Sequence, residues 1–259
     1  MGDVKKKKKV QQDPLDTTMS LGDHLEELRA RLILALLGLG VALIGCLVFG
    51  KLIIMFIEIP YMKALGPDAP MQSISPTDGF IGYMETCMVA GTVIASPWIF
   101  YQLWLFVAAG LYPHEKRYVY MAIPFSTGLF ITGALFFIFI IAPLTLRVLV
   151  LFNKNVLAIN SNWTFPNYLS FVATMMLVFG LAFQTPIAVF FLNRTGLVST
   201  QTLRRIRKFV FLGTVVVAAA ATPGGDLLTL FALAIPMYCL FELGVLLGYI
   251  AEKRKKQTG

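Results

Sequence analysis

Side chains that perform chemistry are scarce in this sequence. It holds only two histidines, His24 and His114, and neither sits in an H-E-x-x-H or other paired metal-ligand spacing. It has no glycine-rich phosphate loop. No histidine or lysine falls in the middle of a long apolar run, so acid–base and nucleophilic catalysis lack their usual residues. The chain is therefore not expected to be an enzyme, and neither a metal nor an organic cofactor is expected. The three cysteines, Cys46, Cys87 and Cys239, lie in apolar runs without C-x-x-C spacing and read as packing residues. Charge is also thin. Only 14 % of the 259 residues are charged, against 57 % hydrophobic, and a soluble domain of this length carries more charge and less apolar surface.

What fills the chain is long apolar segments, and mean hydropathy is +0.74. A membrane span needs about 20 mostly apolar residues. Spans are read near 32–56, 80–107, 120–145, 167–193, 209–222 and 227–249. The expected architecture is an all-α integral membrane protein with six transmembrane helices. Of the 22 Lys and Arg residues, 18 fall in the segments that share a side with both termini; only Lys51, Lys63, Arg147 and Lys154 fall on the other. That asymmetry places both termini in the cytoplasm. It also accounts for the net charge of +8, so no nucleic-acid partner is expected. The chain divides into a disordered basic cytoplasmic tail (1–19), a membrane domain (20–250) and a second basic tail (251–259). The first 19 residues are charged and polar, and no cleavable signal peptide is expected. The fifth span, of about 14 residues, reaches only about 21 Å, short of a hydrocarbon core of about 30 Å. It should sit in a thinned bilayer.

Ser20-Leu-Gly-Asp23 has the form of a capping box. Leu21, Leu25, Leu28 and Leu32 follow at helical spacing, which predicts an amphipathic surface helix running into the first span. Asp23, Glu27 and Arg31 share another face, and Glu27 before Arg31 is the favourable order for a helical ion pair, worth about 0.2–0.5 kcal/mol when exposed. The first outer loop is rich in breakers, and its apolar stretch from Ile57 to Met62 should pack back on the membrane or the protein. Prolines 97, 124, 143 and 236 lie within or at the rims of spans, where each removes a helical hydrogen bond and favours bent helices around a concave face.

Polar residues inside spans are costly and informative. Glu242 reads either as a buried group or as an interfacial one, and so does Glu85. Gln184 either bonds a neighbouring helix or marks a polar spot in a hollow face. Glu27 and Glu115 are acidic residues on a basic side, and two carboxylates at that rim suit guanidinium groups. The plainer alternative pairs Glu27 with Arg31, and Glu115 with Lys116 or Arg117.

Five separated motifs then bear on function. They are His24-Leu-Glu-Glu-Leu-Arg-Ala-Arg-Leu32; Ser96-Pro-Trp-Ile-Phe-Tyr-Gln-Leu-Trp-Leu-Phe106 with Gly110-Leu-Tyr-Pro-His-Glu-Lys-Arg117; Tyr168-Leu-Ser-Phe171; Phe179-Gly-Leu-Ala-Phe-Gln-Thr-Pro186; and Ala234-Ile-Pro-Met-Tyr-Cys-Leu-Phe-Glu-Leu-Gly244. In these the chain resembles the TatC family, the C subunit of the twin-arginine protein translocase, from about Ser20 to Ile250. The resemblance implies a cupped, glove-like six-span fold with short fifth and sixth spans. It implies a signal-peptide receptor and core subunit, in the cell (inner) membrane, for folded cargo bearing twin-arginine signal peptides. The implied partners are TatA and TatB, membrane lipid and further copies of the chain, with transport driven by the proton-motive force.

By the same resemblance Glu27 and Glu115 receive the signal arginines, with Leu25, Arg29, Arg31 and Phe106 in the same recognition region. Pro60, Gln184, Thr222 and Asp226 are implied partner or transport positions. Gln184 stands where many members have glutamate, Glu85 beside a position where a basic residue is common, and Leu230 where glutamine often helps partner docking. Pro223-Gly-Gly-Asp226 is longer than the usual proline pair before aspartate. Without the resemblance, a secondary transporter of a small solute would be the alternative, although no internal repeat supports it.

Overall fold

A computed structural model describes residues 21–66, 71–111, 116–156, 158, 163–194, 198, 200–221 and 227–258. Helices are α1 (Leu21–Val48), α2 (Gly50–Ile57), α3 (Ile59–Leu65), α4 (Asp78–Ala109), α5 (Lys116–Phe136), α6 (Ala142–Val156), α7 (Phe165–Ala182), α8 (Thr185–Arg194), α9 (Thr200–Arg205), α10 (Arg207–Ala221) and α11 (Leu227–Thr258), with a π-helical turn at Phe137–Ile141 between α5 and α6. Among the described residues the only strand-like pairing is an isolated parallel bridge between Gln72 and Thr164. An apolar environment leaves no water for backbone groups, so a chain this hydrophobic satisfies them within helices.

Five helical runs are long and apolar enough to cross a membrane: Gly22–Val48, Asp78–Ala109, Lys116–Val156, Phe165–Asn193 and Leu230–Ile250. The 15 residues of α10 span only about 22 Å, which is the short fifth span expected from the sequence. The basic run after Ile250 continues α11 to Thr258 rather than leaving the helix. The amphipathic segment around Leu25 and the first span form one continuous helix, which breaks at Phe49 before α2. The N-terminal segment 1–19 and the capping serine Ser20 lie outside the described residues.

Breaks follow the prolines where the chain can use them. Pro186 has no N–H, and the fourth run is interrupted just before it, between Ala182 and Thr185. Pro143 follows the π turn directly, and the N–H of Ala142 reaches back five residues to the Phe137 carbonyl. Pro97, Pro124 and Pro236 remain inside α4, α5 and α11.

The centre is α7, packed between α4 and α5. Val172, Ala173, Met175 and Phe179 are fully enclosed there with Phe137. Small residues allow the approach: a Cβ built on Gly133 of α5 would stand 2.8 Å from the Phe179 carbonyl oxygen. α1 lies antiparallel along α4, stitched by side-chain bonds to its backbone. Tyr83 donates to the Leu47 carbonyl, and Trp98 Nε1 donates to the Leu34 carbonyl at 2.8 Å.

At the end remote from the basic loops, α2 and α3 fold back on the protein, which settles the alternative left open for Ile57–Met62. Ile57, Pro60 and Tyr61 are buried. Tyr168 donates to the Ile57 carbonyl at 2.7 Å, and Tyr61 meets Trp163 and Tyr168 edge-on. The Gln72–Thr164 bridge ties the two loops at this end, through Phe165 N–H to the Gln72 carbonyl at 2.8 Å. Burial pushes the Glu58 carboxyl and the Tyr61 phenol above their ordinary ranges.

Candidate functional site: a polar niche between the first and second long helices

Near the start of α1 the chain presents Glu27 and Arg31 one turn apart, the spacing that lets two side chains meet on a helix. Arg31 Nε donates to Glu27 Oε1 at 2.7 Å, and both side chains are a little over a quarter exposed. The other edge of the guanidinium crosses to α4, where Arg31 Nη1 donates to Gln102 Oε1 at 3.2 Å. Gln102 is buried and fixed, so it holds the cation in place. One turn earlier His24 stacks on Phe106, with ring centroids 4.5 Å apart and planes at 24°. His24 also touches the last turn of α4: a Cβ on Gly110 would lie 3.3 Å from its Cε1.

The result is a partly exposed polar niche where α1 meets α4: the buried Gln102 holds Arg31, Arg31 holds Glu27, and the His24–Phe106 stack lies one turn away. Among the described residues Glu27 Oε2 has no partner, so one carboxylate oxygen remains to accept a further donor. Leu25, at 65 % exposure, and Arg29 are exposed on a different face of α1, two positions either side of Glu27. The structure therefore brings Glu27, Arg31 and the His24–Phe106 stack to the face of α1 that meets α4, and leaves Leu25 and Arg29 on another. Glu115, Thr222 and Asp226 lie outside the described residues.

Two further candidate residues sit elsewhere. Pro60 is buried in the second position of α3, within the cap at the remote end. Gln184 lies in the break between α7 and α8. Its Nε2 donates to the Ser126 carbonyl of α5 at 2.8 Å, while the Ser126 hydroxyl accepts from Trp104 Nε1 at 2.8 Å. Gln184 thus bonds a neighbouring helix, one of the two readings left open for it. Glu85 accepts from Ser170 Oγ at 2.8 Å, and Glu242 pairs with Arg207 at 2.8 Å, so neither carboxylate is unpartnered.

Gln102 and Arg207 were not singled out by the sequence reading. Gln102 was quoted only within a motif. A buried amide in an apolar span was the available signal, but nothing in the spacing joins residues 31 and 102.

A bundle of apolar helices, clasped at one end and carrying a charged niche at the other, defines a multi-pass helical membrane protein. Residues 23–236 match the family Sec-independent protein translocase protein (TatC). The chain is 34 % identical to the TatC of Aquifex aeolicus, over 92 % of this chain and 98 % of that one, and 31 % identical to the TatC of Escherichia coli K12, over 94 % of each. A crystal structure of the twin-arginine translocase receptor TatC superposes with a TM-score of 0.80 at 32 % identity, covering 88 % of this chain and 99 % of that one. The chain belongs to the TatC family. The cupped six-span architecture expected from the sequence stands, a solute transporter is not favoured, and the chain is a membrane component of a protein translocase.

Proposed function

We propose that this chain is the receptor and core subunit of a twin-arginine translocase, and that the niche at Glu27 is where it holds a signal arginine. The observation that carries the reading is the half-used carboxylate: Glu27 is bonded by Arg31, Arg31 is bonded by Gln102, and the second Glu27 oxygen has no partner among the described residues. An arriving guanidinium fits that oxygen with a short charge-assisted bond, and its planar fork suits a carboxylate better than an ammonium does. Arg31 then acts as a positioning residue, and the exposed Leu25 offers apolar contact to the signal segment. Glu115 supplies the second carboxylate in this proposal, on the sequence resemblance. Pro60 keeps the remote cap in place, and Thr222 and Asp226 belong to the contacts of the fifth span with TatA and TatB. Both termini face the cytoplasm, from the charge split, and transport is driven by the proton-motive force. The role is a binding and scaffolding one.

A double-mutant cycle tests the carboxylate. Twin-arginine and twin-lysine signal peptides are each titrated against the wild type and Glu27→Gln. The expected result is about a tenfold loss for the arginine signal on Glu27→Gln, and a clearly smaller one for the lysine signal. An equal loss with both would remove the coupling and leave Glu27 as the helical partner of Arg31. Complementation of a bacterial strain lacking its own TatC checks the larger role, with export of a folded twin-arginine reporter as the readout.

A further inference from the structure

A second charged cleft is built from other elements, where α9 and the start of α10 meet α11. It encloses about 520 Å³ and is lined by Arg204, Arg207, Tyr238, Glu242, Leu246 and Tyr249 among others. Its polar wall is already ordered. Arg207 Nη2 lies 2.8 Å from Glu242 Oε2, and the Tyr238 hydroxyl donates to Glu242 Oε1 at 2.7 Å, so both oxygens of the carboxylate are engaged. Arg204 has no carboxylate partner among the described residues; its guanidinium rests over the Tyr249 ring, 5.1 Å from the centroid. Among the described residues two guanidinium groups thus share one carboxylate, which leaves the cleft net positive. The exposed Arg205 and Lys208 adjoin it in sequence.

The other wall is apolar and open. Cys239, Leu243 and Leu246 recur four and three residues apart on α11, which places them on one face, and all three are exposed. The stripe starts beside the arginines and runs along the helix within its apolar stretch. A fixed cation beside an aromatic ring, continuous with an exposed apolar stripe, is complementary to an amphiphile with an anionic head.

We infer that this cleft binds an anionic phospholipid of the bilayer. Its phosphodiester sits between Arg204 and the open edge of Arg207, and one acyl chain lies along Cys239, Leu243 and Leu246. The site does not depend on the signal-binding reading, since it shares no residue with the Glu27 niche.

The test uses the full-length protein purified in detergent and exposed to phosphatidylglycerol or phosphatidylcholine, with retained lipid measured by native mass spectrometry. The wild type should retain phosphatidylglycerol in preference to phosphatidylcholine. Arg204→Gln should weaken the phosphatidylglycerol retention about fivefold, the contribution of one cation near an anionic headgroup, and leave phosphatidylcholine unchanged. Leu246→Trp should reduce phosphatidylglycerol retention with all charges in place. Thermal unfolding of each lipid-free variant confirms that the fold is intact. Undiminished phosphatidylglycerol retention by Arg204→Gln overturns the inference. So does a photoreactive side chain at position 246 that, in membrane vesicles, labels another translocase subunit instead of phospholipid.

Discussion

α1 and the α7–α8 run are equally good spans on paper. Their apolar windows have mean hydropathies of 2.5 and 2.0, yet only 6 % of the first is buried within the protein against 44 % of the second. α1 turns Leu36, Leu37, Val41 and Ile44 outward and touches the rest mainly through α4. α7 turns Val172, Met175 and Phe179 inward and is surrounded. In a bilayer the hydrophobic effect does not distinguish these faces, because lipid is as apolar as leucine. What distinguishes them is small residues and specific bonds: Gly133 and Gly180 against rings and backbone around α7, and indole, hydroxyl and thiol bonds to the backbone of α1.

The comparison breaks if truncation costs the same on both helices. Phe179→Ala removes a fully enclosed ring and should destabilise by about 3 kcal/mol, while Leu37→Ala, 61 % exposed, should shift stability by less than about 0.5 kcal/mol. Thermal unfolding in one detergent measures both. Next in size, Tyr168→Phe leaves the Ile57 carbonyl without its buried donor, and should cost about 1–3 kcal/mol and loosen the remote cap against protease. Gln184→Leu removes the donor to the Ser126 carbonyl, for about 1 kcal/mol. If export falls much further than stability, Gln184 also serves transport. Gln184→Glu keeps that bond only as the protonated acid, since a carboxylate cannot donate.

The smallest effect concerns the cap. Glu58 has a folded-state pKa raised by burial, so its protonated form is favoured in the fold. Cap stability should be highest below the ordinary carboxylate value of about 4.3 and fall as pH rises through the interval up to the raised folded value. Glu58→Gln should flatten that profile, as followed by hydrogen exchange at Ile57–Tyr61.

Much of this was legible in the residues because it is local. The long spans, the short α10 and the Glu27–Arg31 pair all depend on neighbours within about four positions, whereas the break before Pro186 was not among the bends expected from the prolines. Contacts across the chain were not legible. Arg31 meets Gln102 and Gln184 meets Ser126 through packing that no spacing encodes. Glu242 stood out as a carboxylate in a span, but its partner Arg207 sits on another helix. The outward face of α1 was hidden for the reason given above: its leucines look like core.

The π turn at Phe137–Ile141 has a consequence for how the third long run tolerates change. A π turn accommodates one residue beyond the α-helical count, and so sets back the angular phase of everything after it by about 100° relative to an uninterrupted α-helix. Before the turn, the run faces α4 and α7; after it, α6 buries Thr145 and Leu146 and packs on α3 in the cap. One continuous rod therefore serves two sockets, and the wide turn absorbs the extra residue so that α6 keeps its face. A single deletion within 137–141 would rewind the turn into regular helix and leave α6 seated, as thermal unfolding would read. The same deletion one turn further on, in regular helix, would rotate everything after it by about 100° and unseat it, although no side chain that touches either socket has been altered.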